Sequence, residues 1–322
     1  PDMNGILRGK RIKSDALSKV YREGIALPGS LFAAMISGDT VETTGLGFAE
    51  GDSDRICWPI SKSLCLTPWQ SRPMAQLLLS MNEADDTPFF ANPRNVLAKV
   101  LEKFAELELS PITALEMEFY LIDRQRTEQG APQPPLSPVT GQRESQTQVY
   151  GISELDAYDA LLDDIIKTAE QQNIPADTTI AEYAPGQYEI NLKHQADVFA
   201  ACDYIVLLKR LIRARANQHG FDVTFMAKPY VDYSGNGMHL HISLLNQQGE
   251  NIFQHTDPLA NPLLRYAAGG LIATMNESMA LFAPNANSYR RFQPETYVPL
   301  NPLWGYNNRS LALRIPSGNE QA

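Results

Sequence analysis

The stretch Ala114–Leu121 alternates, and alternate side chains of a strand point to opposite faces. Leu115, Met117, Phe119 and Leu121 share one face, while Ala114, Glu116, Glu118 and Tyr120 take the other. Two carboxylates spaced i, i+2 lie roughly 6.5–7 Å apart at Cα. Like charges at that distance raise each other's pKa unless a cation stands between or beside them. The same alternation recurs in Met238–Leu244, where His239, His241 and Ser243 share a face beside the glycine-rich turn Ser234–Gly237. A third polar element is AEYAPGQYEIN, in which Glu182 and Glu189 flank a turn containing Pro185 and Gly186. Each element alone also fits a solvated strand face or turn. Together they supply four glutamates and two histidines, and that donor set suits Mg²⁺ or Mn²⁺ better than zinc.

Arginines follow. Arg290, Arg291, Arg309 and Arg314 fall within 25 residues of an otherwise acidic chain. Guanidinium groups recognise phosphate and carboxylate bidentately, although ion pairing with surface acids is the plainer use. Acidic metal ligands on several strands plus clustered arginines read as phosphoryl transfer, where catalysis is mostly positioning and charge neutralisation. Neither GxxxxGK[ST] nor a kinase glycine loop is present, so the nucleotide site is of another kind.

The elements that must position these groups alternate in type. A possible strand at Ile56–Ile60, an apolar run at Met74–Met81 and a glycine-punctuated loop around Gly38, Gly45, Gly47 and Gly51 precede residue 90. From Asn95, apolar residues recur at helical spacing, which places a domain border near residue 90. Beyond it we expect a strand at Thr113–Asp123 and an exposed polar loop at Gln125–Gln146. A helix capped by Ser153 comes next, then extended chain around Pro185-Gly186 and a long helix over Val198–His219 closed by Gly220. Strands at Val223–Ala227 and Met238–Leu244, a helix at Leu263–Met279 and a strand at Arg309–Pro316 complete an α+β plan.

Composition narrows the class. The chain has 322 residues, 43% hydrophobic and 20% charged, which is ordinary for a folded protein of two domains or one large one. A net charge of −10 excludes a basic nucleic-acid footprint. No apolar run is long enough for a membrane span, and the opening PDMNGILRGK is no signal peptide. Cys57, Cys65 and Cys202 cannot all pair and lack zinc spacing, so a reducing cytoplasm is expected.

In this order, Glu116–Phe119 (EMEF), Glu182–Glu189 (EYAPGQYE), Ser234–Ser243 (SGNGMHLHIS), Pro284–Arg291 (PNANSYRR) and Asn308–Pro316 (NRSLALRIP) resemble the glutamine synthetase family. The opening DMNGILRGKRI resembles the start of the small N-terminal β-grasp domain in the branch that ligates glutamate to amines. The resemblance implies a β-grasp domain over 1–90, short at its start. It also implies a catalytic domain over 91–322 with a curved antiparallel sheet flanked by helices and its last stretch lacking. It implies ATP and two or more Mg²⁺ or Mn²⁺ ions. Glu118, Glu182 and Glu189 match ligands of the first metal, and Glu116 and His239 ligands of the second. Gly235 and Arg291 match positions beside bound glutamate. Arg309 and Arg314 match arginines on the transferred phosphoryl group, and His241, Ser243 and Arg309 fall on the nucleotide side. A further ligand glutamate and an arginine would follow beyond Ala322. Large double rings with active sites between subunits are expected as well.

One departure bears on the substrate. Ammonia-using members carry a glutamate six residues after the arginine of the SYRR segment, and here that position is Tyr297. Glu295, two residues earlier, is the acid that a shift would bring in. Tyr297 and Trp304 would line an apolar wall for a methylene chain, so the expected reaction joins the γ-carboxylate of glutamate to an amine, with putrescine the leading candidate. An ammonia-using glutamine synthetase and a non-catalytic relative are the alternatives.

Overall fold

The computed structural model describes residues 1–317 except 147, 255, 256 and 295. Glu295 therefore lies outside the described residues. The chain divides into two compact units, residues 1–107 and 108–322.

In the first unit, β1 (Ile25–Pro28), β2 (Asp54–Pro59) and β5 (Leu79–Asn82) form an antiparallel sheet in the order β1-β2-β5. The apolar run at Met74–Met81 breaks into β4 (Ala75–Gln76), which pairs with β3 (Cys65–Leu66), and β5. Leu27, Cys57, Met81 and Phe89 make the core, and α1 (Leu17–Glu23) packs on β2. The helix read from Asn95 is α2 (Pro93–Glu106). Asn92 caps it by accepting the Arg94 N–H, and Pro93 occupies its first position.

The second unit is built on an antiparallel sheet in the order β10-β6-β8-β7, with β9 also pairing β6. These strands are β6 (Ser110–Ile122), β7 (Ala176–Ala181), β8 (Gln187–Leu192), β9 (Asp222–Thr224) and β10 (Met238–Leu245). Register decides which side chains meet. Met117 opposes Ile190 and Phe119 opposes Tyr188, and these four are buried. Three helices precede β10: α3 (Ile152–Ala157), α4 (Asp159–Gln171) and α5 (Val198–Gln218). Helix α4 lies against β7 and α5 against β6, with Leu161, Ile165, Leu208, Leu211 and Ile212 inside. The periodicity of α4 and α5 thus covers the apolar face of the sheet and leaves its polar face to chemistry.

Beyond β10 come α6 (Pro262–Phe282), α7 (Ala286–Tyr289) and the parallel pair β11 (Trp304–Tyr306) and β12 (Leu313–Ile315). Three elements differ from expectation, each for a local reason. Gly151, not Ser153, is the N-cap of α3, because the chain enters through a left-handed turn at Tyr150 (φ 58°) anchored to the Ala181 carbonyl. The strand expected over Val223–Ala227 ends at Thr224, whose Oγ1 accepts the Met226 N–H at 3.2 Å and starts a turn. The last strand shortens to Leu313–Ile315, because Asn307 is left-handed (φ 46°) and Asn308 holds the Ser310 N–H in a tight turn.

Candidate active site

Strand register assembles the polar face. Glu116 sits opposite His239 on β10 and Asn191 on β8, and Glu118 sits opposite Glu189. Directly opposed residues of antiparallel strands point the same way. Glu116 is gripped from both sides: His239 Nδ1 lies 2.8 Å and His241 Nε2 2.9 Å from its two oxygens. These two imidazoles hold the Glu116 carboxyl far below the ordinary glutamate range, and Glu116 in turn raises His239. One ligand atom each from Glu116, Glu189 and His239 lies within 4.8 Å of the others, a spacing one metal ion can bridge.

The remaining carboxylates are short of positive charge. Glu189 is 5% exposed. Burial, then the charges of Glu116 and Glu118, push it up to about 8. Burial and the Glu118 charge push Glu182 up to about 7, with His239 and Arg309 pulling the other way. Glu118 is raised by burial even though its Oε2 accepts the Gly237 N–H at 2.9 Å. A cluster in which acids rise towards neutral pH has room, electrostatically, for a divalent cation. The donor set of carboxylate oxygens and one imidazole is the one expected for Mg²⁺ or Mn²⁺.

The loop 227–237 is locked beside this cluster. Asn287 accepts the Lys228 N–H at 2.8 Å and returns its own amide to the Lys228 carbonyl at 2.9 Å, fastening the SYRR segment to that loop. Arg291 is thereby brought against Gly235 and Gly237: a Cβ on Gly235 would stand 2.4 Å from the Ala227 carbonyl oxygen and 2.7 Å from Arg291 Cγ. Arg291 Nε is buried and has no hydrogen-bond partner among the described residues, which fits a guanidinium that can take an anionic ligand.

Gln187, 2% exposed, is the hub behind these groups. Its amide nitrogen reaches Glu118, the Gly235 carbonyl and Asn236 Oδ1 at 3.1–3.3 Å, and its oxygen accepts from Ser234. The reading from sequence missed Gln187 and Asn191, although QYEIN places Gln187, Glu189 and Asn191 on one strand face. Asn191 Oδ1 is buried and has no hydrogen-bond partner among the described residues. It lines a cavity of about 250 Å³ with Glu116, His241, Lys193 and His194. The His194 and His241 rings stand 6.1 Å apart there.

The C-terminal groups are placed unevenly. Arg309 is exposed and acts on Glu182 electrostatically. Tyr297 meets the ring of Tyr183, the residue after Glu182, at 5.7 Å. Ser243 is buried on the His239–His241 face of β10. Arg314 and Trp304 lie on the β11–β12 pair, Arg314 opposite Gly305. Among the described residues neither makes a hydrogen bond or ion pair with the carboxylates.

An antiparallel sheet whose polar face carries Glu116, Glu118, Glu189 and two histidines, with Glu182 and a locked arginine beside it, defines a carboxylate-rich site suited to divalent cations. The family model for the glutamine synthetase catalytic domain matches residues 90–322, and the chain belongs to the glutamine synthetase family. Gamma-glutamylputrescine synthetase PuuA of Escherichia coli is 47% identical over 320 residues, 99% of this chain and 67% of that protein. Glutamate–isopropylamine ligase of a Pseudomonas species is 31% identical, over 97% of this chain and 68% of that one. A solved GmaS–ADP complex superposes with a TM-score of 0.78 at 25% identity, over 97% of this chain and 69% of that one. The chain thus spans about two thirds of the length of these relatives. Among the described residues no helix is long and apolar enough to cross a membrane.

Proposed function

We propose that the chain is an ATP-dependent ligase joining the γ-carboxylate of glutamate to an alkyl amine, putrescine or a related polyamine. The observation that carries the reading is one sheet face holding Glu116, Glu118, Glu189 and His239, with Glu182 beside it and Arg291 locked against Gly235. The amine is argued from Tyr297, which stands six residues after Arg291 where ammonia-using members carry a glutamate. The names of the two relatives above, a gamma-glutamylputrescine synthetase and a glutamate–isopropylamine ligase, support the same choice.

In this reading Glu116, Glu118, Glu182, Glu189 and His239 hold divalent metal ions. When bound, these ions offset charge on the phosphates and the reacting carboxylate. The backbone of Gly235 lies beside bound glutamate, its missing side chain letting Arg291 pack against the loop, and Arg291 takes a carboxylate of that substrate. His241, Ser243 and Arg309 face the nucleotide, and a cavity opens on that side between Asn191, His194 and His241. Arg309 and Arg314 neutralise the phosphoryl group in flight. A γ-carboxylate oxygen attacks the terminal phosphorus of ATP, and ADP leaves. The amine nitrogen then attacks the carbonyl carbon, loses a proton and expels phosphate. Phosphorylation is needed because a bare carboxylate is a poor electrophile. Residues 1–90 are the small β-grasp domain in this reading, residues 91–322 belong to the catalytic domain, and the assembly is a ring with sites between subunits.

Phosphate release over a panel of amines tests the reading. With glutamate and ATP, 1,4-diaminobutane is expected to drive release at a kcat/KM at least about tenfold above ammonium, a difference of about 1.4 kcal/mol in transition-state binding. Equal or better use of ammonium would make this an ammonia-using enzyme instead, and no glutamate-dependent release with any amine would make it a non-catalytic relative.

A further inference from the structure

Tyr183 belongs to none of the ligand sets above, yet it follows Glu182 directly and occupies a rigid position. Glu182 donates its N–H to the Gln187 carbonyl at 2.9 Å, and Gln187 N–H returns to Ala184. Ala184 is buried among Tyr120 and Ile122. Gly186 is left-handed (φ 74°), and a Cβ there would strike Pro135 and the Leu121 carbonyl. The turn is thus fixed at three points, which sets where the Tyr183 side chain leaves the backbone.

That ring meets Tyr297 at a centroid distance of 5.7 Å and a tilt of 44°. Tyr150 stands within electrostatic range of Tyr183. Both paired rings are more than half exposed, Tyr183 at 51% and Tyr297 at 64%, so their faces are open to a ligand. Paired tyrosines this exposed, set next to a carboxylate, are chemically unlike a packed core contact. They offer an apolar surface for methylenes and electron-rich faces for a cation.

We propose that Tyr183 and Tyr297 form an aromatic clamp that selects a primary amine with a methylene stem, most strongly one with a second ammonium group at its far end. The proposal rests on the ligase reading above and adds its amine-specificity element. The nucleophilic nitrogen lies towards Glu182, the stem runs along the rings, and the distal cation meets their faces. Ammonium has no stem to lay along the rings, so the clamp contributes little to its use.

The test compares the wild-type chain with Tyr183→Ala, Tyr183→Phe, Tyr297→Ala and the double alanine variant, using 1,4-diaminobutane, butylamine and ammonium. Tyr183→Ala is expected to raise KM for the diamine about 10–100-fold while KM for glutamate stays within about twofold. The diamine-to-ammonium ratio of kcat/KM falls accordingly. Tyr183→Phe keeps the ring and costs only a few-fold. Butylamine loses less than the diamine in Tyr183→Ala, since it has no distal cation to lose. The double variant is no worse than about threefold below the weaker single, because the two rings act as one surface. An unchanged ratio in Tyr183→Ala, or a KM for glutamate that rises in step with that for the amine, would overturn the clamp while leaving the ligase intact. Wild-type chain that ligates ammonium alone would overturn the amine reading itself, which separates the two failures.

Discussion

Glu189→Gln is expected to yield a protein that is more heat-stable without metal and nearly inactive with it. Glu189 is buried opposite Glu118, and its pKa is pushed up to about 8 by burial and then by Glu116 and Glu118. Below about pH 4.5, the ordinary glutamate range, its carboxyl is protonated whether the chain is folded or not. As pH rises from there through 8, the unfolded chain ionises first, so stability is lost progressively across that window. Glutamine has the same shape and no charge to lose. Melting of the metal-free proteins should therefore diverge with rising pH, the variant standing several degrees above wild type at pH 8 and close to it at pH 5. Mn²⁺ should reverse the order. Wild type gains stability with metal, and gains more at pH 8 than at pH 6, because Glu189, Glu182 and His239 must give up protons to bind it. The variant should gain little, and its turnover should fall by roughly 10²–10³ or more, the scale for removing a group that stabilises transition-state charge. A variant that keeps both the metal-induced shift and near-normal turnover would remove Glu189 from the site.

The second large effect is expected from one added methyl group. Gly235→Ala would place a Cβ 2.4 Å from the Ala227 carbonyl and 2.7 Å from Arg291 Cγ. Neither neighbour yields easily. The Ala227 carbonyl already accepts the Asn236 N–H, and the Arg291 segment is fastened through Asn287 to Lys228. The methyl group therefore displaces the loop, the guanidinium, or both. A displacement near 1 Å of a positioning group costs about 10²-fold in rate, while overpacking costs only about 1–3 kcal/mol of stability. Kinetics should show kcat/KM for glutamate down about 10²-fold and a KM for ATP that moves far less. A cooperative melt within several degrees of wild type would confirm that the loss is not unfolding. Normal glutamate kinetics would show that substrate does not approach Gly235.

The parts of the site that the sequence displayed are those where strand period and residue chemistry agree. The alternation of EMEFY on β6 and MHLHIS on β10 places Glu116, Glu118, His239 and His241 on one face, and antiparallel register then brings Glu116 and His239 together. The same period in QYEIN marks Gln187 and Asn191, yet attention to acids and histidines passed over amides, whose importance lies in being buried and connected. His194 was illegible for another reason. It lies just past β8, and the bridge between Thr113 and Gln195 brings that loop beside His241. Tyr183 was hidden because a tyrosine next to a glutamate in a turn says nothing about a ring 114 positions later in the chain. Where side chains compete with the backbone, at Thr224 and Asn308, and where Tyr150 turns left-handed, apolar pattern overstated the strands and shifted a helix start. The acidic balance also changes meaning: part of the net charge of −10 belongs to four glutamates that face one another and call for a cation.

The most direct measurement follows oxygen. Glutamate carrying ¹⁸O in both γ-carboxylate positions is incubated with the chain, ATP, Mg²⁺ and equal amounts of 1,4-diaminobutane and ammonium, and the products are weighed by mass spectrometry. If the γ-carboxylate is phosphorylated and then displaced by the alkyl amine, phosphate carries one ¹⁸O, the other remains in the new amide, and γ-glutamyl-diaminobutane exceeds glutamine. Unlabelled phosphate, or glutamine as the main product, would contradict the account.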